Sequence, residues 1–192
     1  QEWPKKHVLK QLFQVGWPIS LDQLSFSTNM ICLFWVLGQI GTEAVAIAHV
    51  IITCVLALYL PGLGFGMAAM SLVGEALGKG APSNAKKWAW DVAKVGGVTI
   101  AITGILMAIF PVPILGVFIH SNSTVLHAIF PFQWDVATSW IIAIGCILMD
   151  ALIGAGATRI VMIVKFIIRW GLLLPGSYIV GVHFGGGLHG LW

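Results

Sequence analysis

Five long apolar stretches, at about 12–37, 43–78, 84–110, 124–156 and 159–182, dominate the chain. A membrane-crossing helix needs about 20 residues at about 1.5 Å of rise each, so every stretch predicts at least one crossing. The second and fourth exceed that length, and each holds a proline, Pro61 and Pro131. Proline removes a backbone donor and crowds the preceding turn, so each reads as one bent helix or two short crossings. Charge placement chooses between them. With single crossings, Lys5, Lys6, Lys10, Lys79, Lys86, Lys87 and Arg159 all fall on one side. The opposite loops, at 39–42, 116–124 and 183–188, carry no Lys or Arg. That is the positive-inside pattern with the N-terminal end cytoplasmic. Splitting only the second stretch would put the Lys79–Lys87 cluster opposite the N-terminal lysines. The prediction is therefore an all-α, polytopic transmembrane bundle of five long, bent or tilted helices, forming one unit over 1–192.

The breaks support this division. Between the second and third stretches lies Gly78-Lys79-Gly80-Ala81-Pro82-Ser83-Asn84. Gly78 or Gly80 suits a helix C-terminus, and the Pro-Ser-Asn run suits the next N-terminus. Pro111 and Pro113 end the third helix, with 114–120 as a short outer turn. The chain opens on Gln1 and stops at 186–192, where another apolar run starts, so a piece truncated at both ends is expected.

Composition narrows the classes. Hydrophobic residues make up 58% and charged residues 9%, against about 25% charged in a soluble domain, and mean hydropathy is +0.95. A water-soluble enzyme and a disordered chain are both excluded. A net charge of +3 gives no reason to expect nucleic acid; the expected partner is the lipid bilayer. Cys32, Cys54 and Cys146 sit singly in apolar runs and read as buried thiols. No HExxH, GxSxG or CxxC occurs, so neither a metal site nor a hydrolase is indicated. Gly64-x-Gly66-x-x-Ala69 lies inside an apolar helix, where a dinucleotide fingerprint has no strand to follow. Its glycines read as points of bending and close helix contact. Asn122-Ser123-Thr124 is a glycosylation sequon, meaningful only in a secretory compartment.

Acids and bases within a span are costly, so each is a candidate functional residue. Asp22, Ser25 and Asn29 fall at i, i+3 and i+7, flanked by Phe26 and Leu33, so one face of the first helix is polar and aromatic and points inward. Asp22 lies about 12 Å beyond Gln14 by the helical rise. A carboxylate at that depth suits a proton or sodium site; the alternative is a hydrogen-bonded packing acid. On the fourth helix Asp135, Thr138, Ser139, Ile142, Cys146, Met149 and Asp150 share a broad face at about 100° per residue. Asp135 is either a cavity carboxylate or faces outer water. Asp150 and Lys165 are nearly equidistant from the hairpin at 157–158, which predicts a structural ion pair. Arg169 lies deeper and needs a carboxylate, a carbonyl or water. Glu75 reads as solvated, and His49 as a hydrogen-bonded packing residue.

Several local sequences then carry a resemblance. They are Gly16-Trp17-Pro18-Ile19, Leu37-Gly38-Gln39-Ile40-Gly41-Thr42 and Ala44-Val45-Ala46-Ile47-Ala48-His49. There follow Pro61-Gly62-Leu63-Gly64-Phe65-Gly66-Met67-Ala68 and Val73-Gly74-Glu75-Ala76-Leu77-Gly78-Lys79-Gly80. Last come Gly154-Ala155-Gly156-Ala157-Thr158-Arg159, Leu174-Pro175 and Gly185-Gly186-Gly187-Leu188-His189-Gly190-Leu191-Trp192. In this order the chain resembles the C-terminal lobe of a multidrug and toxic compound extrusion (MATE) transporter. The resemblance implies one lobe of a two-lobe, twelve-helix protein, with the N-terminal lobe of the same chain as partner. It implies a secondary exporter in the plasma membrane, or the inner membrane of a bacterium. Organic cations leave by alternating access, with sodium or proton as coupling ion and no other cofactor. Asp22, Ser25, Phe26, Asn29, Asp135 and Trp140 would line this lobe's side of the cavity. Family members often carry acids near the positions of Phe26 and Ile142; the resemblance then implies either that Asp22 and Asp135 substitute from neighbouring turns or that the coupling ion binds in the N-terminal lobe. Two further readings are a lipid-linked oligosaccharide flippase of related architecture and a non-transporting membrane scaffold.

Overall fold

A computed structural model of the chain describes residues 6–118 and 122–179, all of it helical apart from short connections. The outer loop at 183–188 and the glycine-rich ending at 185–192 lie outside the described residues. Helix α1 spans Lys6–Ile40, α2 Thr42–Gly78, α3 Pro82–Ile109, α4 Pro111–Phe118 and α5 Asn122–Gly154. Then α6 (Thr158–Ile167) passes through a π-helical stretch, Ile168–Leu173, into α7 (Leu174–Tyr178). Pro61 and Pro131 lie within single continuous helices, as the charge argument requires. Pro111 starts a separate eight-residue helix, because without an N–H it cannot bond back into α3. Gln133 Nε2 donates 3.1 Å to Ala108 O and satisfies a carbonyl at the end that is left.

Among the described residues four helical stretches are long and apolar enough to cross a membrane: Ala44–Gly78, Pro82–Ile109, Thr124–Gly154 and Thr158–Tyr178. The apolar runs predict five. α1 has the length but gathers Asp22, Gln23, Ser25, Ser27, Thr28 and Asn29 within about two turns, and that polarity sets it apart. Of the three cysteines only Cys54 is buried; Cys32 is half-buried and Cys146 exposed, since an apolar run in a membrane helix has outward as well as inward faces.

The helices α2, α3 and α5 form a tightly packed trio. A Cβ on Gly97 would meet Ile144, one on Gly104 would meet Val136 O at 3.0 Å, and one on Gly154 would meet the Met70 backbone. Such small-residue contacts hold membrane helices together where lipid gives no hydrophobic drive. Outward of the middle the core is large: Ile51, Leu58, Ile100, Leu115 and Phe132. Toward the lysine-rich end it is small: Ala69, Ala76, Ala85, Ala93 and Ala151. Contacts such as Arg159 over Trp17, 6.0 Å from the ring centroid, set α1 and α6 side by side and parallel. Lys79, Lys86, Lys87 and Arg159 therefore share one end with the start of α1.

Two connections at that end are built alike. Gly80 N donates to Leu77 O at 2.9 Å and Ala81 N to Ala76 O at 3.0 Å. Gly156 N donates to Ile153 O at 2.9 Å and Ala157 N to Leu152 O at 3.0 Å. Both are Schellman closures with glycine in the left-handed region, φ 70° and 87°; of the two candidates for the first closure, Gly80 rather than Gly78 takes the role. Gly156→Ala meets no atom within 4 Å. Its expected effect is therefore backbone strain alone, about 1–2 kcal/mol, read as a lower unfolding midpoint in detergent. An unchanged midpoint would show that the turn relaxes.

Candidate functional site

The polar stripe of α1 faces α6 and the π-helical stretch. Arg169 Nη1 donates to Asp22 Oδ1 at 2.8 Å and to Asp22 O at 3.3 Å. Lys165 Nζ lies 3.6 Å from Asp22 Oδ2. All three side chains are about one-fifth to one-quarter exposed. Trp170 Nε1 donates to Ser25 Oγ at 2.8 Å. Asn29, 1% exposed, donates from Nδ2 to Arg169 O at 3.4 Å. The Arg169 guanidinium also lies 5.0 Å from the Phe26 ring centroid, a cation–π contact, and Phe166 stacks on Trp170 at 5.9 Å.

The helix geometry makes this possible. In the π-helical stretch Leu174 N–H bonds to Arg169 O, five residues back. The wider turn leaves that carbonyl accessible to Asn29 as well, and π turns of this kind recur at functional sites. Beside the ion pair a cleft of about 440 Å³ opens between the helices, lined by Leu21, Asp22, Ser25 and Thr28 from α1 and by Met162 and Phe166 from α6.

The structure thus brings Asp22, Ser25, Phe26 and Asn29 together. It does not add Asp135 or Trp140 to them. Asp135 is half-buried on α5 and, among the described residues, makes no side-chain hydrogen bond or ion pair; Tyr59 of α2 is within electrostatic reach. Thr138 bonds back to its own helix at Trp134 O, and Ser139 bonds to Val136 O and packs on Gly104 of α3. Trp140 is 42% exposed. The expected Asp150–Lys165 ion pair is not formed. Lys165 pairs with Asp22, whereas the Asp150 carboxylate abuts Gly66 of α2. Depth matching across the α5–α6 hairpin ignores α1, which supplies a carboxylate closer to Lys165. Asp150 remains within electrostatic reach of both Lys165 and Asp22. Sequence reasoning missed Trp170 and the Arg169 link; the signal was an i, i+4 pair of intramembrane cations alongside one intramembrane acid on α1. Glu75 is exposed and pairs with Lys79 at 2.5 Å, and His49 lies beside Phe34 with ring centroids 6.4 Å apart.

Comparison with known proteins adds the family context. The MatE family profile matches residues 18–179. The chain is 28% identical over 196 residues, 100% of its length, to a probable multidrug resistance protein NorM of Brucella suis biovar 1. It is 27% identical over 98% of its length to a probable multidrug resistance protein NorM of Thermotoga maritima, and 25% identical over 98% to the uncharacterized transporter YisQ of Bacillus subtilis. It spans about 41% of the length of each of these relatives. Its fold matches the crystal structure of a mutant of the Vibrio cholerae MATE transporter VcmN with a TM-score of 0.86 at 22% identity, over 95% of this chain and 41% of that one.

Proposed function

This chain belongs to the MATE family of membrane transporters, and on that premise we propose that it forms one lobe of a two-lobe, twelve-helix exporter of organic cations. Membership also places it among multi-pass membrane proteins and outside the enzymes. Export runs by alternating access, with the partner lobe rocking against this one around a midplane cavity. Sodium or proton entry drives it. The lysine-rich end of the bundle supports a plasma-membrane orientation with that end cytoplasmic.

One observation carries the reading. Asp135 is a half-buried carboxylate without hydrogen bond or ion pair among the described residues, in a bundle where such a group is costly. An acid left unpaired in this way is available to a cation. Asp22 differs, since Arg169 and Lys165 neutralise it; it organises the α1–α6 side with Ser25 and Asn29. A coupling ion and an organic cation competing for Asp135 would give exchange, because a carboxylate that holds one releases the other. One face of the Phe26 ring is taken by Arg169, whereas Trp140, 42% exposed, offers its indole to a flat cation.

The test is Asp135→Asn in the intact transporter, read as ion-driven efflux of a cationic dye. Efflux is expected to fall at least about tenfold, equivalent to about 1.4 kcal/mol of lost cation binding. Unchanged efflux with unchanged ion dependence would remove Asp135 from the site. The oligosaccharide flippase needs free positive charge for a pyrophosphate, and Arg169, the cation the sequence offers for it, is held at 2.8 Å by Asp22. A scaffold has no use for an unpaired acid.

A further inference from the structure

At the lysine-rich end, a groove of about 370 Å³ runs between α2, α3 and α5. Its floor is shallow side chains: Ala85 and Ala89 of α3, Ala151 of α5 and Ala155 just beyond it. Lys86 and Trp90, one turn apart on α3, line it too, and both are exposed. Among the described residues no acid lines the groove. Lys86 has no acidic residue three or four positions away and no ion pair among the described residues. Of the neighbouring charges, Lys79 pairs with Glu75, and Lys87 lines a second cavity that also holds Asp91.

The position fits the membrane boundary. α3 has 28 residues, about 42 Å at 1.5 Å per residue, which exceeds a hydrocarbon core of about 30 Å. Its first turns hold Lys86, Lys87, Trp88, Trp90, Asp91 and Lys94, the charged and tryptophan-rich composition of the headgroup zone. An apolar slot that begins at this level and carries one unpaired ammonium matches a molecule with an apolar tail and an anionic head.

We propose that this groove binds an anionic phospholipid, with an acyl chain along Ala89, Ala151 and Ala155, the phosphate at Lys86, and Trp90 at the glycerol level. Charge complementarity selects the occupant. A zwitterionic lipid would fill the slot equally but would set its own cation beside Lys86. The site is independent of Asp22 and Asp135 and does not rest on the transport cycle.

The intact protein would be purified from vesicles of equal phosphatidylglycerol and phosphatidylcholine, and retained lipid counted by native mass spectrometry. Phosphatidylglycerol is expected to exceed phosphatidylcholine about fivefold, the factor for one lysine near a surface. Lys86→Gln should bring the two lipids level. Lys94→Gln removes the same charge outside the groove and should leave the preference unchanged. Ala155→Phe fills the slot and should lower both lipids while keeping the charge; its unfolding midpoint is compared with that of the parent. Absence of a phosphatidylglycerol preference, or an equal loss in the two lysine variants, would overturn the proposal: the latter would mean a diffuse basic surface. A lipid count unchanged by a well-folded Ala155→Phe variant would also overturn it.

Discussion

Asp22→Ala is expected to destabilise the lobe by about 3–5 kcal/mol, the cost of stranding a buried cation. Asp22 takes Nη1 of Arg169 on both a carboxylate and a backbone oxygen and holds Lys165 at 3.6 Å. Truncation removes the carboxylate and leaves two cations facing each other at about one-fifth exposure. Lys165 has a long stem and can extend toward the lysine-rich end. Arg169 is anchored by Phe26, and its own carbonyl is held by Asn29. The double variant Asp22→Leu with Arg169→Met should therefore recover most of the loss, since a buried pair replaced by apolar groups is often neutral. Arg169→Lys should not substitute, because a point charge cannot reproduce the guanidinium's donor geometry or its stacking. Unfolding in increasing SDS, followed by tryptophan fluorescence, separates these variants. A single-variant loss under about 1 kcal/mol, the range of solvated surface pairs, would mean that water screens the cluster.

The second large effect concerns α2 against α5. Gly154→Ala places a methyl against the backbone of Met70, with its Cα 2.8 Å away. Backbone cannot rotate aside as a side chain can, so the helices must part, at about 1–3 kcal/mol for overpacking. Gly64→Ala, on α2 itself, meets nothing within 4 Å. It should be neutral or stabilise by up to about 1 kcal/mol through helix propensity. Thermal unfolding of the two variants side by side tests the contrast. Equal behaviour would mean that the α2–α5 approach is looser than the geometry states.

Much of this fold is legible in the apolar run lengths and in where lysines fall. Those two patterns locate α2, α3, α5 and α6 and keep Pro61 and Pro131 inside unbroken helices. They reach the polar face of α1 as well, since Asp22, Ser25 and Asn29 follow helical spacing. They do not say what that face touches. Spacing orders residues along one helix and across one hairpin; α1 and α6 are separated by more than a hundred residues. Depth matching therefore joins Lys165 to its hairpin neighbour Asp150, while the closer acid sits on another element. The 100° count also groups Ser139 with Asp150, whereas packing turns Ser139 to Gly104 of α3 and Asp150 to Gly66 of α2. The run Ile167-Ile168-Arg169-Trp170 gives no sign of the π turn; its Leu174-to-Arg169 hydrogen bond closes directly before Pro175, which has no N–H of its own to continue the ladder.

The π-helical stretch Ile168–Leu173 also acts as an inserted residue. A relative with a plain α-helix here would carry one residue fewer between Arg169 and Ser177. A gap in the comparison of the two chains then belongs at 168–173 and nowhere later. Shifted past Leu174, it would turn the equivalent of Ser177, 6% exposed, by about 100°, from the interior toward the lipid. Indels at this point are thus a change of azimuth rather than of length, and they decide which residues of α7 can meet α1.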